Sequence, residues 1–401
     1  MATLAVEPKA DARSHPALRR ARRSRFLWIL SSITAAMHLP VALGVGELLR
    51  RGGAPHPALL GWAWGALGVA LFAGRLRPGI PDDPRHAVTV RLVDIPYFIH
   101  WCAALWTLIP AVVESVTLPL VELARGAPVH LPVGAYMWTY LSGLGVGAYG
   151  VLVRRRWFRV VTRQVRVTGL PAAFDGFRIA HLSDLHVGSL TPRSWGMRWA
   201  RAANAAAPDL AVVTGDLVTS GSAYTREIAD VLGELRAPHG VFSSMGNHDY
   251  FGEEERLVDA LRGRGVKVLR NEGVVLDRGG ARLWLAAIDD TWTRRDDLGR
   301  ALAERPDGVP TVLLAHDPNR FDQAADAGVE LVLSGHTHGG QVAVPFLART
   351  LNAARFPYKY SLGVYERGAS TLYVHPGLGT TGPPFRLGAA PEVTVLVLRR
   401  R

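Results

Sequence analysis

Five short segments of this chain consist largely of groups that bind hard or borderline cations: Asp184-Leu185-His186, Gly215-Asp216, Gly246-Asn247-His248-Asp249, Ala315-His316-Asp317 and Gly335-His336-Thr337-His338. Carboxylate oxygen and neutral imidazole nitrogen suit Mn, Fe, Zn and similar ions. One residue separates Asp184 from His186, so an extended turn can aim both side chains at one cation, and His336 and His338 repeat that spacing. Asp216 has two oxygens and can bridge two cations. Asn247 offers a neutral carbonyl oxygen that moderates the total charge, and His316 adds a further imidazole. Two divalent ions roughly 3.5–4 Å apart lower the pKa of a bridging water and supply hydroxide near neutral pH. They also offset charge on the non-bridging oxygens of a phosphoryl group under in-line attack. No Ser or Cys nucleophile is apparent.

Singly, most of these segments are weak signals. Asp-x-His and His-x-His arise by chance, and Gly-Asp is an ordinary turn. Gly-Asn-His-Asp is more distinctive, because three ligand-type side chains directly after an apolar run are costly to bury without a purpose. The joint pattern is stronger still, since each segment follows a short apolar run that reads as a strand.

Such a centre needs a scaffold that brings strand ends together. The pattern predicts strands over 177–182, 210–214, 241–245, 282–288, 311–315, 331–334, 372–375 and 393–398. Helices are expected near 192–206, 224–235, 253–262 and 319–326. Strands alternating with helices make a layered α/β domain. Ligand groups in such folds sit just past the strand C-termini, where all five segments fall. The stretch 342–365, rich in Phe, Tyr, Leu and Arg, reads either as an apolar lid or as a packing loop. Asp289-Asp290 and Arg294-Arg295 read as solvated surface groups.

Ahead of this domain the composition is different. Residues 1–159 hold 18 Lys/Arg against 8 Asp/Glu, whereas the rest holds 28 against 26. The basic excess flanks apolar runs, which argues for membrane orientation and against a nucleic-acid partner. Four apolar segments, 26–49, 57–73, 92–113 and 131–153, approach the roughly 20 residues needed to cross the hydrocarbon core. Arg19, Arg20, Arg22, Arg23 and Arg25 precede the first segment, Arg75, Arg77, Arg85 and Arg91 lie between the second and third, and Arg154, Arg155, Arg156 and Arg159 follow the fourth. The alternate loops hold only Arg50, Arg51 and Arg125. The positive-inside rule therefore places the N-terminus and the catalytic domain in the cytoplasm of a multi-pass cell-membrane protein. Arg22-Arg23 fits a twin-arginine export signal poorly. His38 and His100, in the apolar segments, are expected to satisfy packing and hydrogen bonds. The single cysteine, Cys102, requires no oxidising compartment.

The ordered set Asp-x-His, Gly-Asp, Gly-Asn-His-Asp, a lone His and Gly-His-x-His resembles the calcineurin-like metallophosphoesterase superfamily, over about residues 167–398. The tail His338-Gly339-Gly340-Gln341, with Lys359-Tyr360 and Gly377-Leu378-Gly379-Thr380, resembles more narrowly a bacterial membrane-associated branch. Some members of that branch cleave UDP-diacylglucosamine at its pyrophosphate, a step of lipid A biosynthesis. The resemblance implies a four-layer fold of two packed sheets flanked by helices. It implies one divalent metal held by Asp184, His186 and His338, a second held by Asn247, His316 and His336, and Asp216 between them. It implies that His248 protonates the leaving oxygen and that Asp249 orients His248. The expected organisation is a basic tail (1–25), a membrane domain with four helices (26–153), a basic linker (154–166) and the metallophosphoesterase domain (167–401). The expected partners are a phosphoester or pyrophosphate substrate, lipid-linked in the narrower reading, and membrane lipids. Phosphodiester hydrolysis of soluble nucleotides, protein dephosphorylation and a non-enzymatic sensor or scaffold are the alternatives.

Overall fold

The computed structural model describes residues 16–75, 87–127 and 134–401, which fall into two compact units. The first comprises residues 1–79 and 99–147, and the second 80–98 and 148–401. The expected tail, 1–25, lies largely outside the described residues.

The first unit is helical. Helices Pro16–Arg51 and Pro57–Arg75 pack side by side, and Met37, Val41, Ala103, Ala104 and Tyr140 form its buried centre. Among the described residues, three helical stretches are long and apolar enough to cross a membrane: Ser31–Arg51, Pro57–Gly74 and Ala87–Arg125. Four were expected, and the fourth, 131–153, begins outside the described residues. Helix Gly134–Ala148 has 15 residues and passes into a π-helical turn at Tyr149–Arg154. The expected third segment ended at Val113, yet the helix runs on to Arg125 through Pro110 and Pro119. Apolar helices tolerate proline because neighbouring groups satisfy the freed carbonyls. His38 and His100 meet through their Nε2 atoms at 3.0 Å. Their Nδ1 atoms reach the Thr34 carbonyl (2.6 Å) and the Tyr140 hydroxyl (2.8 Å), so the apolar bundle leaves neither ring nitrogen unpartnered.

The second unit has two six-stranded mixed sheets. One runs β1 (Arg159–Val167), β12 (Glu392–Arg400), β2 (Arg178–Leu182), β3 (Leu210–Thr214), β4 (Val241–Ser244), β5 (Val266–Val268). The other runs β10 (Gly363–Arg367), β11 (Ser370–Val374), β9 (Leu331–Ser334), β8 (Thr311–Leu314), β7 (Ala281–Ala287), β6 (Glu272–Arg278). Strands β2 to β5 are parallel, as are β7, β8, β9 and β11. Their runs are apolar on both faces because both faces are covered. Ile179, Leu210, Val212 and Phe242 meet Leu285, Val312, Leu314 and Leu333 between the sheets. Helices Arg193–Ala205, Thr225–Leu232 and Glu254–Arg262 cover the outer face of the first sheet through Trp199, Ile228 and Leu257. Leu298–Leu302 and Phe321–Asp326 cover that of the second.

The expected linker, 154–166, is corrected by β1. Residues 159–167 pair in parallel with β12 along their whole length. Arginines at 159, 163 and 166 mask the strand in the sequence, and only Val165 and Val167 are buried. A charged edge of this kind deters pairing with other chains. Arg159 reaches Glu392 at 3.2 Å and Arg163 reaches it at 3.9 Å.

Candidate metal centre

The five segments converge because the strands that precede them are neighbours. Asp184 and His186 follow β2, Asp216 follows β3 and Asn247 follows β4, three adjacent parallel strands. His316 follows β8, and His336 and His338 follow the adjacent β9. The carboxyl ends of both sheets thus open on one place, where parallel α/β sheets carry their ligand sites.

Two groups of ligand atoms form there, each within 4.8 Å: Asp184, His186, Asp216 and His338, and Asp216, His316 and His336. Asp216 belongs to both. In the first, His186 Nε2 lies 3.0 Å from His338 Nε2 and 3.5 Å from Asp216 Oδ2, while His338 Nε2 lies 3.3 Å from Asp184 Oδ1. In the second, His316 Nε2 lies 3.3 Å from Asp216 Oδ2 and 3.2 Å from His336 Nδ1. The Asn247 Oδ1 atom is buried without a hydrogen-bond partner.

Backbone conformation sets this geometry. Asp184, His186, Asp216, His336 and His338 all have positive φ, between 45° and 69°. Non-glycine residues seldom adopt that region, and such outliers gather at functional sites. Close approach is enforced at Gly246, where a Cβ would strike the Asp216 carboxylate and crowd His316 Nε2.

The electrostatics favour cations. Burial pushes the Asp184 carboxyl up to about 6, and it holds His186 and His336 neutral, down to about 3 and about 4. Against burial, which opposes its charge, His316 and His248 keep Asp216 well below the usual carboxylate range. The His316 Nδ1–H donates to the Thr214 carbonyl at 2.7 Å, and although burial opposes its charge, the Asp216 carboxylate facing Nε2 at 3.3 Å holds this imidazole well above its usual range until a cation takes the proton's place. Imidazoles and buried carboxylates that face one another, with an orphaned amide oxygen alongside, fit a pair of divalent cations.

Two neighbours carry no ligand atom in either group. His248 is half-buried, its ring 4.7 Å from that of His186. Its Nδ1–H donates to the Thr219 carbonyl at 2.6 Å, and its Nε2 lies 3.4 Å from Thr381 Oγ1. The expected Asp249–His248 pairing is therefore corrected. Asp249 accepts instead from the backbone N–H groups of Leu217 (2.8 Å), Val218 (3.3 Å) and Gly246 (2.9 Å). It ties the β3 loop to the β4 loop and orients His248 only through the backbone.

Sequence reasoning missed other contributors. Tyr358 Oη lies 2.8 Å from His336 Nε2, and its only signal was the aromatic density of 342–365. Arg386 is fully buried behind His338, with Nη2 3.3 Å from Nδ1, and donates to the carbonyls of Pro376 and Gly379. Nothing in its local sequence marks it. Asp289 and Asp290 are buried rather than solvated. Asp289 accepts from Tyr250 Oη and from Arg270 Nε, and Asp290 caps the Thr293 N–H at 2.7 Å. Arg295 lies over the Tyr250 ring at 4.5 Å.

A shared carboxylate between two Asp/His groups defines a class, the metal-dependent phosphoester hydrolases with a dinuclear site. Within that class the chain belongs to the calcineurin-like phosphoesterases, whose family model matches residues 177–340. It is 31% identical over 264 residues to the metallophosphoesterase YkuE of Bacillus subtilis, covering 64% of this chain and 91% of that one. A metallophosphoesterase of Aquifex aeolicus is 31% identical over 262 residues, covering 63% of this chain and 96% of the relative. A transmembrane protein with metallophosphoesterase domain from Danio rerio is 31% identical over 299 residues, covering 70% and 67%.

Proposed function

We propose that this metal-dependent phosphoester hydrolase is anchored in the cell membrane and acts on a phosphodiester or pyrophosphate bond of an amphiphilic substrate at the cytoplasmic face. The observation that carries the reaction is the sharing of Asp216 by two ligand groups at the meeting ends of two sheets. Asp184, His186 and His338 would hold one cation, Asn247, His316 and His336 the other, and Asp216 would contact both. When bound, such a pair activates water and neutralises phosphate charge.

The protein's own residues do the rest. With Nδ1–H fixed on the Thr219 carbonyl, the His248 ring presents Nε2 beside the centre, where a protonated Nε2 can give its proton to the leaving oxygen. The His248 N–H donates to Asp216 Oδ1 at 2.9 Å, so one residue both steadies the shared carboxylate and carries the acid. Exposed Phe251 and Trp292 stand at the rim, with ring centroids 5.0 Å from His248 and 6.3 Å from His336. An apolar rim suits a substrate with an apolar part. Three helices of membrane-crossing length support the anchor, and the arginine distribution supports the cytoplasmic side. A lipid-linked pyrophosphate such as UDP-diacylglucosamine satisfies both demands.

The test is a substrate panel on the full chain in detergent. Turnover of lipid-linked pyrophosphates well above that of cyclic nucleotides and phosphopeptides is expected. Selective turnover of either soluble class would reject the lipid substrate and keep the reaction class. Asp216→Asn should lose bound metal and hydrolysis together, and wild-type activity in that variant would overturn the site.

A further inference from the structure

The segment between β9 and β10 makes a surface that the reaction at the metal centre does not use. The Val344 N–H donates to the Leu351 carbonyl at 2.9 Å, and Ala343 bridges Asn352, which closes a small hairpin with Phe346 and Leu347 at its tip. Phe346 and Phe356 are almost wholly exposed, and Val344, Leu347 and Leu351 about half. Phe346 moreover holds a φ of 67°, where a turn ordinarily places glycine. A fully solvated aromatic ring on strained backbone gains nothing within its own fold.

The same segment is cationic. Residues 342–365 contain Arg349, Arg355 and Lys359 and no Asp or Glu. Lys359 pairs with Asp322 at 2.8 Å. Arg349 and Arg355 donate to the carbonyls of Val364 and Lys359 and, among the described residues, meet no carboxylate. The base, by contrast, is firmly held. Asn352 Nδ2 donates to Ser361 Oγ (3.0 Å), Thr337 Oγ1 donates to the Ser361 carbonyl (2.7 Å), and Tyr358 Oη meets His336 Nε2 (2.8 Å).

We propose that this hairpin is a lipid-docking element. Phe346, Leu347 and Phe356 enter the headgroup–acyl boundary of the bilayer, while Arg349 and Arg355 face anionic headgroups. Apolar tips rimmed by unpaired cations are what such an interface recognises. The bilayer is within reach of a chain that carries its own membrane-length helices. Because the base is bonded to the residues around His336, lipid contact is made beside the metal centre. The inference extends the proposed function without relying on its substrate.

The test uses the full chain in nanodiscs, with bimane attached at Phe346→Cys. The only native cysteine, Cys102, is buried. Brominated acyl chains should lower the emission roughly twofold or more, as for a probe held about 5–10 Å into the boundary. The same label at exposed Glu304→Cys should not respond. Removing anionic lipid should weaken the quenching, and so should replacing Arg349 and Arg355 by Gln. A Phe346 label that brominated lipid leaves unquenched overturns the proposal, as does quenching that appears only with a second labelled copy. Hydrolysis of a soluble phosphodiester by the same samples stays at the unlabelled level, so failure of docking is distinguishable from failure of the reaction.

Discussion

His248 lies beside the candidate ligands, and neither ligand group includes it. Its Nδ1 is held by a backbone carbonyl, and its Nε2 faces the centre. His248→Ala should therefore retain bound metal and lose about 10²- to 10⁴-fold in turnover, the usual worth of a positioned acid. Metal analysis alongside steady-state kinetics checks both halves of that statement. Tyr358→Phe removes the hydroxyl that fixes His336, and the affinity for metal should fall about 10- to 100-fold, as when other partners of ligating histidines are lost. Unchanged affinity in a metal-buffer titration would contradict this. Gly246→Ala drives a methyl group into Asp216 and His316, so it should fold yet bind metal poorly, which circular dichroism and metal analysis can separate. The candidate ligands were legible in the sequence because carboxylate and imidazole after an apolar strand have few other reasons to be there. The family resemblance assigned Asp249 to His248, whereas its geometry serves three N–H groups. The Thr219 carbonyl could not be read at all, since a backbone atom leaves no trace in residue identity.

Among the elements, the central strands β2, β3, β4, β7, β8, β9 and β11 were plain in the sequence as short apolar runs, two of them to the residue. Strands β1, β5, β6 and β10 were not. Each has at most one well-buried face, and a charged or short segment of that kind looks like a loop. The position of β1 makes Glu392 a joint of the first sheet. It is buried, accepts from Tyr373 Oη (2.8 Å) and Thr394 Oγ1 (2.9 Å), and pairs with half-exposed Arg159. Glu392→Ala would leave the Tyr373 and Thr394 hydroxyls, 3.1 Å apart, only each other as partners, at about 1–3 kcal/mol for a buried donor left unsatisfied. The exposed arginine should add little, because solvent screens it. Urea denaturation of the variant should show a lower midpoint, and an unchanged midpoint would contradict the role of Glu392 as a joint.

For the whole molecule, the site joins two sheets that elsewhere meet through apolar packing and a few polar contacts such as Tyr373 with Glu392. A ligand that binds the folded state alone contributes about 2.7 kcal/mol when present at one hundred times its dissociation constant. Stripping divalent ions with a chelator should therefore lower the melting temperature, and readdition should restore it. A calorimetric scan indifferent to chelation would contradict a buried dinuclear site. The order β1-β12-β2 carries a further consequence. During synthesis on the ribosome, β1 and β2 are made early, yet they do not pair with each other. The gap between them closes only when residues 392–400 have left the exit tunnel. Until then β1 has no partner and one side of β2 is open, so a nascent chain stalled before residue 392 should be a preferred client for chaperones that recognise unpaired strands.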